Sequence, residues 1–168
     1  MQFAGNADCI LYIRWGVSAL TDHKMEKRFS VVPDQESISK VSDFIDSCVE
    51  EYEIPLRAGY SLKVVTDEIF SNIVYYSGAK NAEILFRNDA DKVTLVFLDD
   101  GKPYNPMEAE EPDVTAGVEE RKIGGLGLLM VKKMAEHVQY EYIAQRNQMT
   151  IIISKTVKKK TIFLEDFE

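Results

Sequence analysis

The segment Val65-Thr-Asp-Glu-Ile-Phe-Ser-Asn-Ile-Val-Tyr-Tyr76 has the spacing of an amphipathic helix, and the rest of the chain is organised around it. Its apolar side chains recur at three- and four-residue intervals, which predicts one apolar stripe. That stripe consists of Ile69, Ile73 and Tyr76. Glu68 and Asn72 are four residues apart and therefore lie one above the other on the adjoining face. The plain interpretation is a solvated polar pair, and a functional one depends on what other segments bring beside it.

The composition limits the class of protein. The chain has 168 residues, enough for one domain with its own hydrophobic core. Hydrophobic residues make up 45% and charged residues 29%, as in ordinary globular proteins. The net charge of -8 argues against direct binding to nucleic acid, which requires a basic face. The short basic run at Lys158–Lys160 does not alter that conclusion.

The cysteines and histidines indicate neither a metal site nor a disulfide framework. Cys9 and Cys48 are far apart, and the two histidines, His23 and His137, have no metal-site spacing to them. We therefore expect reduced thiols and a cytoplasmic protein. The apolar run before Arg14 follows no basic cluster and is too short to span a bilayer, so no membrane partner is expected.

The patterns divide the chain into three segments. Residues 1–24 are interpreted as a leader or extension outside the core, with a docking strand or an extra helix as the alternative. Residues 25–156 carry the regular patterns and form the one predicted domain. Residues 157–168 form a C-terminal tail to which the pattern assigns no structure.

The predicted elements follow from hydrophobic periodicity. In chain order they are an edge strand at 27–32, a helix at 36–53, the helix bearing Glu68 closed by Ser77–Gly78, strands at 83–87 and 92–98 joined by a hairpin turn, a helix at 126–137, and strands at 138–143 and 149–154. Helices and strands in separate groups predict an α/β (α+β) two-layer sandwich, with helices on one face of a mixed, mostly antiparallel sheet. The acidic stretch 107–122 lacks periodicity and is predicted to be a mobile functional loop.

A carboxylate and a glycine follow the strand predicted at 92–98, in the sequence Asp99-Asp-Gly101. A carboxylate at a strand end can accept a hydrogen bond from an exocyclic amine such as N6 of adenine. The glycine lets a flat ring approach the backbone. Since Asp-Gly is also a common turn dipeptide, a simple surface turn is the alternative.

The third motif is Gly124-Gly-Leu-Gly-Leu128, which opens a predicted helix. Backbone N–H groups at a helix N-terminus can bind an anion. The spacing excludes a P-loop, and the glycines do not belong to a βαβ dinucleotide unit. Together the motifs suit a magnesium nucleotide: Asn72 offers Mg²⁺ a hard oxygen, Asp99 holds the base, and Glu68 accepts a proton.

These three motifs, in this order, resemble the nucleotide-binding boxes of the GHKL ATPases, the superfamily of histidine kinases and DNA gyrase with the Bergerat, or histidine-kinase-like ATPase, fold. Within it the chain is most similar to the bacterial anti-sigma-factor serine/threonine kinases. The further matching runs are Asp99-Asp-Gly-Lys-Pro-Tyr-Asn-Pro106, Val131-Lys-Lys after the glycine motif, and Tyr140-Glu-Tyr142. The resemblance covers about Lys27 to Lys155.

The resemblance assigns roles to individual residues. It implies that Glu68 is the catalytic base and that Asn72 is the Mg²⁺ ligand. It also implies that Asp99 pairs with adenine N6 and that Gly101 lies beside it. The implied ATP contacts of the glycine motif are Gly125, Leu126, Gly127 and Leu128.

The resemblance also makes the stretch 107–122 an ATP lid. Arg121 and Lys122 could neutralise phosphate charge there, and a solvated basic pair is an equal alternative. Tyr76 stands where the family often has histidine, so any role of that histidine is absent. No helix with a phosphoacceptor histidine is present in the pattern.

The function implied by the resemblance is an ATP- and Mg²⁺-dependent serine/threonine protein kinase of the anti-sigma-factor type. Its substrate would be an anti-sigma-antagonist (STAS-type) protein. A second surface would hold a sigma factor or similar regulator, and partner switching would regulate transcription; a homodimer is possible. The alternatives are an ATP-gated binding module without kinase activity and a detached ATPase domain of a two-component system. Glu68 favours the kinase, because a pure switch needs no base at that position.

Overall fold

A computed structural model describes residues 25–106 and 126–156, which form a five-stranded sheet covered by helices. In chain order the elements are β1 (Met25–Val31), α1 (Gln35–Glu51), α2 (Leu56–Asn72), a π-helical turn (Ile73–Ser77), β2 (Ala82–Asn88), β3 (Lys92–Asp99), α3 (Leu126–Met134), β4 (His137–Ile143) and β5 (Arg146–Ser154). The predicted leader at 1–24, the predicted lid at 107–122 and the predicted tail at 157–168 lie outside the described residues.

The sheet has the strand order β1-β2-β3-β5-β4. All four pairings between these described strands are antiparallel, so the predicted fold class is confirmed with a sheet that is antiparallel rather than mixed. β1 is an edge strand, as its pattern predicts. The β4–β5 hairpin turns at Ala144 and Gln145, whose φ angles of 51° and 61° are those of the two-residue turn that suits strand twist.

One face of the sheet carries the core, because strand side chains alternate between the two faces. The buried residues of β3 and β5 on that face are Val93, Leu95, Phe97, Met149, Ile151 and Ile153. They form one cluster with Val41, Ile45 and Cys48 of α1 and with Leu62, Val65 and Ile69 of α2. The same alternation continues to Asp99 on β3 and Asn147 on β5, so both side chains lie on the helix-covered face at one end of the sheet.

The ends of α1 are fixed by local hydrogen bonds. At the start, Asp34 Oδ1 accepts from the Ser37 N–H at 2.8 Å, and the Asp34 N–H donates to Ser37 Oγ at 2.9 Å. At the end, the Ile54 N–H donates to the Val49 carbonyl at 3.0 Å. Glu53 adopts the left-handed conformation, with φ 47°, that this closure requires. The predicted helix is therefore confirmed, but it begins one residue earlier and ends two residues earlier than expected.

The helix bearing Glu68 is confirmed, but one residue of its predicted apolar stripe is not buried. Ile69 and Ile73 are 4% and 7% exposed, whereas Tyr76 is 76% exposed. The π-helical turn after Asn72 explains the error, because a wider turn shifts the phase of the side chains that follow it. Gly78, with φ 66°, ends the turn as predicted.

Two boundaries near the C-terminal end of the domain differ from the prediction. α3 ends at Met134, and His137, which periodicity placed in that helix, is the first residue of β4. The Glu136 N–H already donates to the Ile152 carbonyl of β5 at 2.8 Å, which pulls the chain onto the sheet. β5 begins at Arg146 rather than at Met149. Its first three residues are polar, so hydrophobic alternation does not reveal them.

Candidate functional site

Asp99 is the last residue of β3 and is only 5% exposed. Its Oδ1 accepts hydrogen bonds from the Gly101 N–H at 2.9 Å and from Asn147 Nδ2 at 3.0 Å. Within residues 25–106 and 126–156, no hydrogen bond to its Oδ2 is formed. Asp99 Oδ2 is not among the buried, unsatisfied side-chain atoms of the described residues, so it faces the solvent and can take a donor from a ligand. Asp99 is therefore suited to accept a hydrogen bond from a bound molecule.

Gly101 packs the loop after β3 tightly against the end of the second helix. A Cβ atom at this position would lie 2.6 Å from the Ser77 carbonyl oxygen and 2.7 Å from Asp99 Oδ1, so no larger residue fits without movement. The Lys102 N–H donates to the same Ser77 carbonyl at 2.9 Å. These contacts join the strand end that carries Asp99 to the helix that carries Asn72.

Asp100 has a structural role distinct from that of Asp99. Its Oδ2 accepts from Asn81 Nδ2 at 2.8 Å, and its Oδ1 accepts from the Asn81 and Lys80 N–H groups at 2.9 and 2.7 Å. These hydrogen bonds, those of Asn81 above all, lower the pKa of Asp100 to about 2. Asp100 thus ties the segment before β2 to the end of β3. Asp99, on the opposite face of the strand, points to the core.

Asn147 is a buried polar residue beside Asp99 that the sequence motifs missed. It pairs directly with Asp99 across β3 and β5, and it is 6% exposed. Besides its bond to Asp99, its Oδ1 accepts from the Tyr140 hydroxyl at 2.7 Å. Extending the alternation of Ile151 and Met149 backwards by one step would have placed it on the buried face, which is the one sequence signal available.

Glu68 and Gly127 are in direct contact, so the helix flank and the glycine turn meet as the motifs predict. A Cβ atom placed on Gly127 would overlap the Glu68 carboxylate, which therefore lies against the first turn of α3. Glu68 is half-buried. No described residue donates a hydrogen bond to its carboxylate or forms an ion pair with it. That carboxylate is available as a proton acceptor beside the turn.

Asn72 is the last residue of α2 and is half-buried. It is four residues after Glu68, which touches Gly127, and five before Ser77, which touches Gly101. Asn72 therefore lies on the helix between its contact with the glycine turn and its contact with the Asp99 loop. The Asp99 loop and the glycine turn therefore both meet the helix that carries the third predicted motif.

Some predicted site residues cannot be placed. Gly125, Arg121 and Lys122 lie outside the described residues, and for Leu126 only the backbone position at the start of α3 is described. Leu128 is half-buried and packs against the core cluster.

The residues present fit a magnesium nucleotide. The open Oδ2 of Asp99 suits an exocyclic amine. Asn72 offers a side-chain oxygen, and Mg²⁺ commonly takes few protein ligands together with phosphate oxygens and water. In the described part of the chain, no group of three or more His, Cys, Asp or Glu side chains could hold a metal ion. Asn72 stays the predicted protein ligand on the strength of its motif alone.

Comparison with known proteins places this arrangement in a family. A family model described as the histidine kinase-like ATPase domain matches residues 31–155. The chain belongs to this family. The match runs from the last residue of β1 to the residue after β5 and includes all three motifs. The predicted GHKL superfamily is therefore confirmed, and the domain is an ATP-binding module of the histidine kinase-like type.

Solved structures similar to the chain include the catalytic domain of histidine kinase ThkA in two nucleotide-free forms. One is 15% identical, covers 78% of this chain and 99% of its own, and has a TM-score of 0.44. The other is 14% identical, covers 77% and 98%, and has a TM-score of 0.43. No curated protein matches the chain. Among the described residues, no helix has the length and apolar character needed to cross a membrane.

Proposed function

We propose that this histidine kinase-like ATPase domain is a cytoplasmic, Mg²⁺- and ATP-dependent serine/threonine protein kinase of the anti-sigma-factor type. The observation that carries the proposal is the contact between Glu68 and Gly127. It puts a carboxylate without a partner among the described residues beside the turn predicted to bind phosphates. A nucleotide switch needs the turn but has no use for a proton acceptor there.

In this proposal Glu68 is the general base. Mg-ATP, when bound, supplies the γ-phosphoryl group and the charge neutralisation for its transfer. Glu68 accepts the proton of a serine or threonine hydroxyl as that oxygen bonds to the γ-phosphorus. The bond from the γ-phosphorus to the bridging oxygen of the β-phosphate breaks, and ADP leaves. A positioned base of this kind contributes roughly 10²- to 10⁴-fold to the rate.

The remaining residues bind and orient. Asn72 would contribute the protein's oxygen ligand to Mg²⁺, and Asp99 Oδ2 would accept from adenine N6. Gly101 lets the loop that carries Asp99 pack against the end of the second helix, since a Cβ there would collide with Ser77 and Asp99. The Gly127 N–H group, in the first turn of α3, would bind phosphate where the helix dipole favours negative charge.

We propose an anti-sigma-antagonist protein of the STAS type as the substrate and a sigma factor or similar regulator as the second partner. Support comes from the likeness of Asp99–Pro106 and of Tyr140–Tyr142 to the anti-sigma-factor kinases. Phosphorylation of the antagonist would determine which partner is bound, and the domain would act as a monomer or a homodimer. The proposal involves no direct contact with nucleic acid.

The decisive experiment is phosphoryl transfer from γ-labelled Mg-ATP to STAS-type proteins encoded in the same genome. Three proteins are compared: wild type, Glu68→Gln and Asp67→Asn. Asp67 is the matched control, because it is the neighbouring carboxylate on α2 and is exposed. Wild type and Asp67→Asn should label a serine or threonine at similar rates, and Glu68→Gln should be slower by at least about 10²-fold.

Other outcomes would point to the alternative functions. Glu68→Gln transferring label as fast as wild type would remove Glu68 from its role. ATP binding without transfer to any candidate would favour the nucleotide-gated binding module. Acid-labile label on a histidine of an added protein would favour the detached domain of a two-component system.

A further inference from the structure

Asn147 is the junction of the hydrogen bonds around Asp99. Its Nδ2 donates to Asp99 Oδ1 at 3.0 Å and to the Lys102 carbonyl at 3.0 Å. Its Oδ1 accepts from the Tyr140 hydroxyl at 2.7 Å and from the Tyr104 N–H at 3.2 Å. With 6% of its surface exposed, this carboxamide is held on both sides in the interior.

Backbone groups fix the orientation of the Asn147 carboxamide. The Tyr104 N–H can only donate, so the atom that faces it must be Oδ1. The Lys102 carbonyl can only accept, so the atom that faces it must be Nδ2. Rotating the carboxamide by half a turn would leave both backbone groups facing like partners, which is costly in a buried site. Asn147 therefore presents its NH₂ group to Asp99.

The orientation of Asn147 in turn fixes the Asp99 carboxylate. Oδ1 accepts from both Asn147 Nδ2 and the Gly101 N–H, at 3.0 and 2.9 Å. Turning the carboxylate would break both bonds at once. The second oxygen, Oδ2, is thus held in one position, and a pre-positioned acceptor discriminates between ligands more sharply than a mobile one.

We propose that Asn147, held by Tyr140, is a positioning residue that sets the selectivity of this site for a purine with an exocyclic amine at C6. The inference rests on the proposed assignment of Asp99 to the base. Asn147 acts through Asp99. A base without the amine leaves the fixed Oδ2 unpaired and is rejected for that reason. If the carboxylate can turn away from the base, that penalty falls.

The test compares the dissociation constants of Mg-ATP and of the magnesium complex of purine riboside triphosphate, which lacks only the amine. The proteins are wild type, Asn147→Ala, Tyr140→Phe and the control Tyr142→Phe. Tyr142 lies on β4 opposite Asn147 and is 45% exposed. Its hydroxyl takes no part in the hydrogen bonds between Asn147 and Asp99.

Wild type should prefer ATP. Asn147→Ala should lower that preference about tenfold, which corresponds to the free energy of one buried hydrogen bond. The change should come chiefly from a higher dissociation constant for Mg-ATP. Tyr140→Phe should lower the preference in the same direction by a smaller factor, and Tyr142→Phe should leave it unchanged. Because Tyr140→Phe retains the ring that packs against the core, it carries the test even where Asn147→Ala does not fold.

Two results would overturn the inference. One is that Asn147→Ala and Tyr140→Phe both keep the wild-type preference for ATP over the purine riboside triphosphate. The other is that they lose affinity equally for the two nucleotides, as the loss of a merely structural residue would cause. A wild-type protein that binds both nucleotides equally would instead remove Asp99 from its assignment to the base. The failure of the inference and the failure of the underlying assignment are therefore distinguishable.

Discussion

Gly127 determines how closely the glycine turn approaches the proposed base. Replacing it with alanine places a methyl group where the Glu68 carboxylate now lies, so the carboxylate or the first turn of α3 must move. A displacement of about 1 Å in a reacting group can cost roughly 10²-fold in rate. We expect Gly127→Ala to lower phosphoryl transfer by about that factor, as measured by initial rates at saturating Mg-ATP.

Gly59→Ala is the matched control for this substitution. Gly59 is also helical, and a Cβ there meets only the two methyl groups of Val49, at 3.0 and 3.8 Å, and not Glu68. Its activity should equal that of wild type. Wild-type rates in Gly127→Ala would show that the position of Glu68 relative to the turn is unimportant for the reaction.

At the scale of single residues, the sequence predicted which residues belong to the site better than it predicted which residues they contact. Glu68 and Gly127 come together as expected, because four-residue spacing and a helix-opening glycine motif are local signals. Asn147 was missed, since its importance depends on its register opposite Asp99 across two strands that are distant in sequence. The separate duties of Asp99 and Asp100 likewise depend on which face of β3 each occupies.

At the scale of elements, the end of α1 is closed by a left-handed residue that is a glutamate and not the glycine usual at such positions. Glu53 has φ 47°, a region that costs L-residues roughly 1 kcal/mol and glycine almost nothing. The closing hydrogen bond from Ile54 to Val49 does not involve its side chain. We expect Glu53→Gly to raise the free energy of unfolding by about 1 kcal/mol in urea titration.

Glu50→Gly is the chemically matched control, because it removes the same side chain from a position inside α1. It should lower the free energy of unfolding by about 1 kcal/mol, since glycine is a poor residue within a helix. Equal destabilisation by both substitutions would mean that the strain at Glu53 is negligible.

Element types were predictable from periodicity, and their exact limits were not. The helices and strands of the described residues repeat apolar side chains at intervals near 3.6 and 2, which marks them. Tyr76 was placed in the buried stripe because no sequence signal announces a π-helical turn. The first residues of β5 are polar on both faces, and the partner strand β3, not hydrophobicity, holds them in the sheet.

At the scale of the whole molecule, the two-layer fold places two segments that are distant in sequence against α2 and the turn after it. Strand alternation brings Asp99 to the helix-covered face, Gly101 fits against Ser77, and Gly127 fits against Glu68. Both contacts need a glycine, because a Cβ would overlap the Ser77 carbonyl at Gly101 and the Glu68 carboxylate at Gly127. A ligand that touches the strand end and the helix flank together should therefore stabilise the entire domain.

Because of that coupling, we expect Mg-ATP to raise the free energy of unfolding. A ligand at a hundred times its dissociation constant stabilises the folded state by about 2.7 kcal/mol. Asn72→Ala and Asp99→Ala should each weaken binding about tenfold, and at the same concentration the gain should drop to about 1.4 kcal/mol. Asp91→Ala, in the turn at the opposite end of β3, should keep the full increase in the free energy of unfolding on adding Mg-ATP. If Asn72→Ala and Asp99→Ala both keep it too, as measured by urea titration with and without Mg-ATP, the nucleotide binds elsewhere.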